Sequence, residues 1–298
     1  MLNPSEIREL LSETRIHIRV AVENLIIVGL NLRPCSQTTI PAELPSGSSI
    51  GEAIDVRFKP RLDQLRRIQD NKARITEISE IRKGMALAFD ELVEGSDEYR
   101  CFISWVKRLG LKLDKVEVRP TAHEFYIYKD RETLKELHRL MQERGKLRVE
   151  ALKKPNPSRG QLQFAYPEEF NGAWIRRMGQ LLGYPDCCVD RYASDREQGV
   201  NAEARAAAQL KELGRDPDPY VYIASYFFPC SPTCEIARQK GEIYHRRLSE
   251  ALPQAGEAYE KIIAENLDRV RRQPEIIDEY LSRVKSFYPS SSAGFAPA

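Results

Sequence analysis

Residues 183–188 read Gly-Tyr-Pro-Asp-Cys-Cys, and residues 229–234 read Pro-Cys-Ser-Pro-Thr-Cys. The two segments hold four of the chain's 6 cysteines, and their reading decides how the second half folds. A proline suits the first position of a helix, where its missing N–H would find no intrahelical partner. Ser231 is then expected to cap a helix, with Pro232 at its first position and Cys234 in its first turn. Pro185 opens a second helix and places Cys187 at the same third position. Unpaired N–H groups and the positive end of the helix dipole gather at such ends. Both favour a thiolate over a thiol, and the thiolate is the form that binds metal or attacks an electrophile. Two such ends facing each other make a site for soft metals, clusters or sulfur chemistry.

Four thiolates, Cys187, Cys188, Cys230 and Cys234, suit tetrahedral zinc and also iron–sulfur clusters. The Cys-x3-Cys spacing of 230 and 234 fits zinc, but the adjacent pair does not. Neighbours on a helix point about 100° apart. Cys187 and Cys188 therefore reach one centre at an irregular helix start or around a larger cluster, which raises iron–sulfur relative to zinc. It also leaves open that one of the two is the ligand. Structural disulfides, metal-free reactive thiols and plain buried cysteines are the competing readings. Around the thiols, Asp186, Asp190 and Glu235 are the nearest carboxylates in sequence. Asp190 is one turn from Cys187, the place for a group that orients a ligand. Arg191 and Arg196 are candidates to line the site, and Tyr184 with Tyr226, Phe227 and Phe228 to shield it. His245 follows Cys234 by eleven residues, about 16 Å along a helix. It is too far to share a metal but is placed to line a pocket. A solvated surface is the simpler role for each charged residue.

The pairing of GYPDCC at 183–188 with PCSPTC at 229–234, preceded by Tyr-Phe-Phe at 226–228, resembles the signature of an uncharacterised, largely archaeal family, domain of unknown function 483. The resemblance covers roughly residues 160–250. It groups the same four cysteines and implies no reaction.

At 298 residues the chain makes one large domain or two ordinary ones. The 42% apolar content excludes a disordered protein. Its 46 basic and 44 acidic residues give a net charge of +2, so net charge does not indicate a nucleic-acid partner, although a local basic patch is compatible with it. The first ten residues lack a cationic, apolar leader. The longest apolar stretch, 20–32, is broken by Glu23 and Asn24 and is too short for a bilayer. The expectation is a cytoplasmic protein with no membrane partner, where clustered cysteines serve metal binding or catalysis more often than disulfides.

Along the chain, Asn3 and Pro4 start a helix over 4–31, with a β-branched stretch at 18–27 that also suits a strand. Residues 33–50 read as a loop holding Cys35, and 60–95 as one long charged helix with a break left open near Gly84. Residues 115–119 and 124–128 alternate as strands, 131–144 form an amphipathic helix with His138 on its apolar side, and 147–152 return as a strand. KKPNPSRG at 153–160 reads as a boundary, followed by an edge strand at 161–166, a helix over 167–182 and a buried strand or extended segment over 220–228. The fold class is therefore α+β: an N-terminal mixed sheet–helix region at 1–152, a mainly helical four-cysteine domain at 161–288, and a disordered tail at 289–298.

No phosphate-binding glycine loop, dinucleotide fingerprint or zinc-protease helix occurs in the sequence. The functional expectation is a metalloprotein whose cysteines hold an iron–sulfur cluster or zinc. The alternatives are a metal-free thiol or redox enzyme and an RNA-binding module stapled by the same site.

Overall fold

The structure is a computed structural model that describes residues 2–65, 67–156, 159 and 162–287. The expected tail at 289–298 lies outside the described residues. The fold is α+β, a small antiparallel sheet followed by a helical region, and it divides into two compact units, Met1–Lys129 and Asp130–Ala298.

The first unit begins with α1 (Pro4–Leu11), where Asn3 caps the helix and Glu6 reaches back to close a capping box. The single helix expected over 4–31 is not formed. The chain breaks after α1 and resumes as a π-helix (Val20–Ile26) that runs into α2 (Ile27–Gly29). Every residue of both pieces is buried, which is why the β-branched stretch carried no amphipathic period to read. β1 (Cys35–Ile40) lies in the stretch expected to be a loop, so Cys35 is a buried strand residue. Its Ser-Gln-Thr-Thr composition hides the strand, but a partner supplies the pairing. α3 (Gly47–Leu65) and α4 (Asn71–Phe89) replace the single long helix, with Asp70 capping the second. Gly84 does not break α4. Instead, a Cβ there would meet the Phe58 ring of α3 at 2.9 Å.

A π-helical turn (Asp90–Glu94) and α5 (Asp97–Arg108) lead to β2 (Lys112–Arg119) and β3 (Ala122–Tyr128). The sheet order is β1-β3-β2, all antiparallel, with Cys35 opposite Tyr128 and Lys112 opposite the same tyrosine. β3 is central, and His123, Glu124, Phe125, Tyr126, Ile127 and Tyr128 are all buried. A strand covered on both faces reads as a continuous run instead of alternating.

The second unit starts with α6 (Arg131–Lys153), capped by Asp130. It runs through 147–152, the expected strand. Lys, Leu, Arg, Glu and Ala are good helix formers, and one valine does not outweigh them. Its buried residues are Thr133, Leu137, Leu140 and Arg144, so His138 falls on the exposed side. The expected boundary at 153–160 lies inside this unit. α7 (Leu162–Ala165) stands where an edge strand was expected. A 3-10 turn (Pro167–Phe170) precedes α8 (Gly172–Leu181), which Asn171 caps and whose Trp174 Nε1 donates to the Leu140 carbonyl at 2.9 Å. α9 (Asp186–Glu197), α10 (Ala202–Leu213), α11 (Glu235–Ala251), α12 (Pro253–Arg271) and α13 (Gln273–Phe287) complete the unit.

Between α10 and α11, where a buried strand or extended segment was expected, the chain forms a 3-10 turn (Pro219–Val221) followed by irregular backbone. Val221, Tyr222, Ile223, Ala224, Phe227 and Phe228 are buried as expected. Buried carbonyls off a sheet need donors, and α12 supplies them. Tyr259 donates to the Ile223 carbonyl at 2.9 Å, and the Asn266 amide to those of Ala224 and Tyr222 at 2.5 and 3.4 Å. No helix among the described residues is long and apolar enough to cross a membrane.

Candidate metal centre

Glycine and proline set the first half of the site. Gly183 sits at φ 72° after α8, and Pro185, with extended backbone, caps α9. Cys187 and Cys188 thus occupy the second and third helical positions, one earlier than a helix starting at Pro185 would give. A full helix forbids some rotamers because the side chain would strike the preceding turn. In the first turn that obstacle is missing, so adjacent side chains can converge. The two sulfurs lie 3.9 Å apart.

The second half is a self-closed turn. The Ser231 hydroxyl accepts from the Thr233 N–H at 3.2 Å, and the Ser231 carbonyl accepts from the Cys234 N–H at 3.1 Å. Ser231 therefore caps this turn and not the helix. Cys234 itself holds the cap position of α11, which begins at Glu235. From α10, Arg205 donates to the Pro229 carbonyl at 2.8 Å and Gln209 to the Cys230 carbonyl at 3.2 Å. Arg205 is held in turn by the buried Asp195 at 2.7 Å, which also receives Arg191 at 3.0 Å.

The four sulfurs converge. Cys234 lies 3.6 Å from Cys187 and 3.7 Å from Cys188, and all four sulfurs fall within 4.8 Å of one another. Cys188 and Cys234 are buried, whereas Cys187 and Cys230 are half-buried. The Cys230 N–H donates to the Cys188 sulfur at 3.5 Å. Burial pushes the Cys188 thiol up despite that bond. Burial, then hydrogen bonding to Cys234 and its charge, raises Cys187 and pushes Cys230 up to about 12. Cys234 goes the other way. Burial opposes its ionisation, but the Ala237 N–H and the thiols of Cys230, Cys187 and Cys188 together outweigh it. Cys234, at the start of α11, is thus the sulfur whose ionised form the other three thiols favour.

The other expected residues are placed as follows. Tyr184 packs on the apolar core that includes Cys188 and Cys234 and stacks on Phe227, ring centroids 5.2 Å apart. Asp186 receives the Gln180 amide at 3.4 Å, and Asp190 pairs with Arg176 at 2.9 Å. Glu235 is held by Arg238 and Gln239, and its carboxyl is lowered to about 2 by those hydrogen bonds. His245 pairs with Glu260 at 3.2 Å and lies against the Tyr220 ring. None of these carboxylates, nor His245, joins the group of metal-ligating side chains formed by the four cysteines. Sequence reasoning missed Asp195, Arg205 and Gln209. Arg205 sits in an alanine-rich helix and reaches a carbonyl 24 residues away, a contact with no local signal.

The comparisons with known proteins bear on this half of the chain. Residues 170–254 match the family model described as protein of unknown function (DUF483). That match contains both cysteine segments and agrees with the family resemblance carried by GYPDCC and PCSPTC. An uncharacterised protein of Methanocaldococcus jannaschii, MJ1106, is 27% identical over 112 residues, 36% of this chain and 56% of the relative. The chain thus spans little more than half the length of the curated relative it matches. No solved structure matches the chain.

Proposed function

We propose that the four cysteines hold a single tetrahedral metal ion, zinc in the first place, and that this ion fastens the start of α9 to the turn before α11. The spacing of the sulfurs carries this reading. An ion bonded to sulfur at about 2.3 Å sets tetrahedral edges of ~3.8 Å. The three sulfur separations of 3.6, 3.7 and 3.9 Å lie on that value. An iron–sulfur cluster places its own irons and sulfides between the thiolates, and sulfurs on different irons then stand farther apart than sulfurs on one ion. The 4.8 Å upper limit therefore favours one ion over a cluster.

Four thiolates fill a tetrahedron and leave no open position, which is the mark of a structural site. When bound, the ion supplies a cross-link between segments over forty residues apart in sequence. The chain's own contribution is the donor set, the Cys230 N–H on the Cys188 sulfur and the hold of Arg205 and Gln209 on the 229–230 carbonyls. These contacts orient ligands as outer partners do in metal sites. A reduced four-thiol site also fits the reducing cytoplasm expected for the chain.

Elemental analysis of protein purified without oxygen tests the reading. One zinc per chain without acid-labile sulfide is the expected result. Several irons with sulfide would replace the single ion by a cluster. No metal, with four titratable thiols, would leave the metal-free thiol reading in its place.

A further inference from the structure

The second unit holds a cavity of about 590 Å³ that shares no residue with the four-cysteine group. One wall is the C-terminal end of α6. The other is formed by Gln163 of α7, the 3-10 turn at Pro167–Phe170 and Asn171. The volume lies in the range of small-molecule sites, about 300–1,000 Å³.

Two buried clasps hold these walls in place. The Gln163 carboxamide pairs with both backbone groups of Asn156: its Oε1 accepts from the N–H at 2.7 Å, and its Nε2 donates to the carbonyl at 2.8 Å. Arg144 of α6 meets Glu168 of the 3-10 turn at 2.6 Å, with their side chains 5% and 4% exposed. Desolvation makes a buried ion pair costly, and its best-attested use is to fix one arrangement of the chain. The cavity is therefore built into the fold before any ligand arrives.

Its lining divides in two. Leu147, Ala151, Pro167 and Phe170 make an apolar side. Lys153, Lys154 and Arg159 bring three cations against one carboxylate, Glu150, which leaves a balance of +2. Among the described residues none of the three cations forms an ion pair. The Arg159 guanidinium lies 4.9 Å from the Phe170 ring centroid. A guanidinium on a ring uses its face and keeps its in-plane N–H donors for an oxyanion. The Asn171 Oδ1 accepts from the Trp174 N–H at 2.9 Å, so the group it offers the cavity is its amide Nδ2, another donor.

We propose that this cavity binds a phosphomonoester of a small organic molecule, with the phosphate at Lys153, Lys154 and Arg159 and the organic body against Leu147, Ala151 and Phe170. A phosphomonoester carries about −1.5 to −2 charges at neutral pH, the complement of the lining. A monocarboxylate would bring about half that charge. A lone phosphate ion would leave most of the volume and the whole apolar side unused. The site does not depend on the metal reading.

The test is calorimetric titration of the full chain with three probes, phenyl phosphate, inorganic phosphate and phenol. Phenyl phosphate is expected to bind at least ~10-fold tighter than either fragment, because it alone engages both sides of the cavity. Lys154→Gln and Arg159→Gln should each weaken it by about 5-fold or more, the loss of one charge-assisted contact. Both side chains are exposed, so the melting midpoint should stay at the wild-type value. Ala151→Leu puts bulk into the cavity from a helix that accepts leucine, and it should abolish binding. The two charge variants decide alone if Ala151→Leu fails to fold. Phenyl phosphate that does not bind would overturn the proposal, and so would undiminished affinity in the charge variants or in a folded Ala151→Leu. Inorganic phosphate binding as tightly as phenyl phosphate would also overturn it, because the lysines would then be holding an adventitious ion only.

Discussion

Cys188 and Cys234 are the buried members of the thiol group, and each touches at least two of the other sulfurs. Replacing either by serine removes a soft ligand and leaves a hydroxyl in its place. The expected outcome is a loss of metal affinity beyond the ~100-fold seen when outer partners are lost. Chelator competition measures it. Cys35→Ser and Cys101→Ser should leave metal content unchanged, because both are buried away from the group. A second residue-scale prediction concerns His123. Its ring lies 3.9 Å from Phe89, and its Nδ1 is buried without a hydrogen-bond partner. Burial lowers it first and the Lys115 charge second, against Glu117, Glu94 and Asp90, which favour the cation. The folded state therefore holds fewer protons here than the unfolded state. Stability should rise with pH from the depressed folded value up to about 6.5, the ordinary histidine value, and be flat above it. His123→Gln should remove that slope in denaturation curves followed between pH 5 and 7.

The helices that carry the site depend on close approaches by glycines. A Cβ at Gly241 of α11 would meet the Tyr220 carbonyl oxygen at 2.2 Å. That carbonyl is backbone and cannot swing aside, so Gly241→Ala should cost about 1–3 kcal/mol. A fall in the melting midpoint of roughly 2–4 °C for each kcal/mol would register it. Gly179 does the same for α8, where a Cβ would meet the Val189 side chain of α9 at 2.6 Å. At this scale the sequence was most legible where a cap residue announces an element. Asn3 caps the helix that follows it, as its place before Pro4 announces. The proline-led segments were legible as helix starts, but by one to three residues early, because a proline with extended backbone serves as a cap and a serine can close a turn on itself. What stayed hidden was non-local. β1 is polar in composition and exists because β3 pairs with it. The 220–228 run is apolar enough for a strand, yet side chains of α12 satisfy its carbonyls. The clamp of Arg205 and Gln209 on residues 229–230 has no local pattern at all.

Over the whole chain, the α+β class and the grouping of four cysteines were both readable from composition, caps and motif pairing. The size of the cage was not, since sulfur spacing depends on how two segments pack. The proposal of a single ion rests on that spacing. Chelation tests the weight of the proposed ion in the fold. Binding to the native state alone stabilises by RT ln(1 + [L]/Kd), about 2.7 kcal/mol at a hundredfold excess over Kd. A chelator should therefore lower the melting midpoint of the full chain, and added zinc should restore it. X-ray absorption at the metal edge of the intact, anaerobically purified protein addresses the centre most directly. About four sulfur neighbours at ~2.3 Å and no metal–metal scattering are expected for the single ion. A metal–metal distance in the spectrum, or nitrogen and oxygen in place of sulfur, would contradict it.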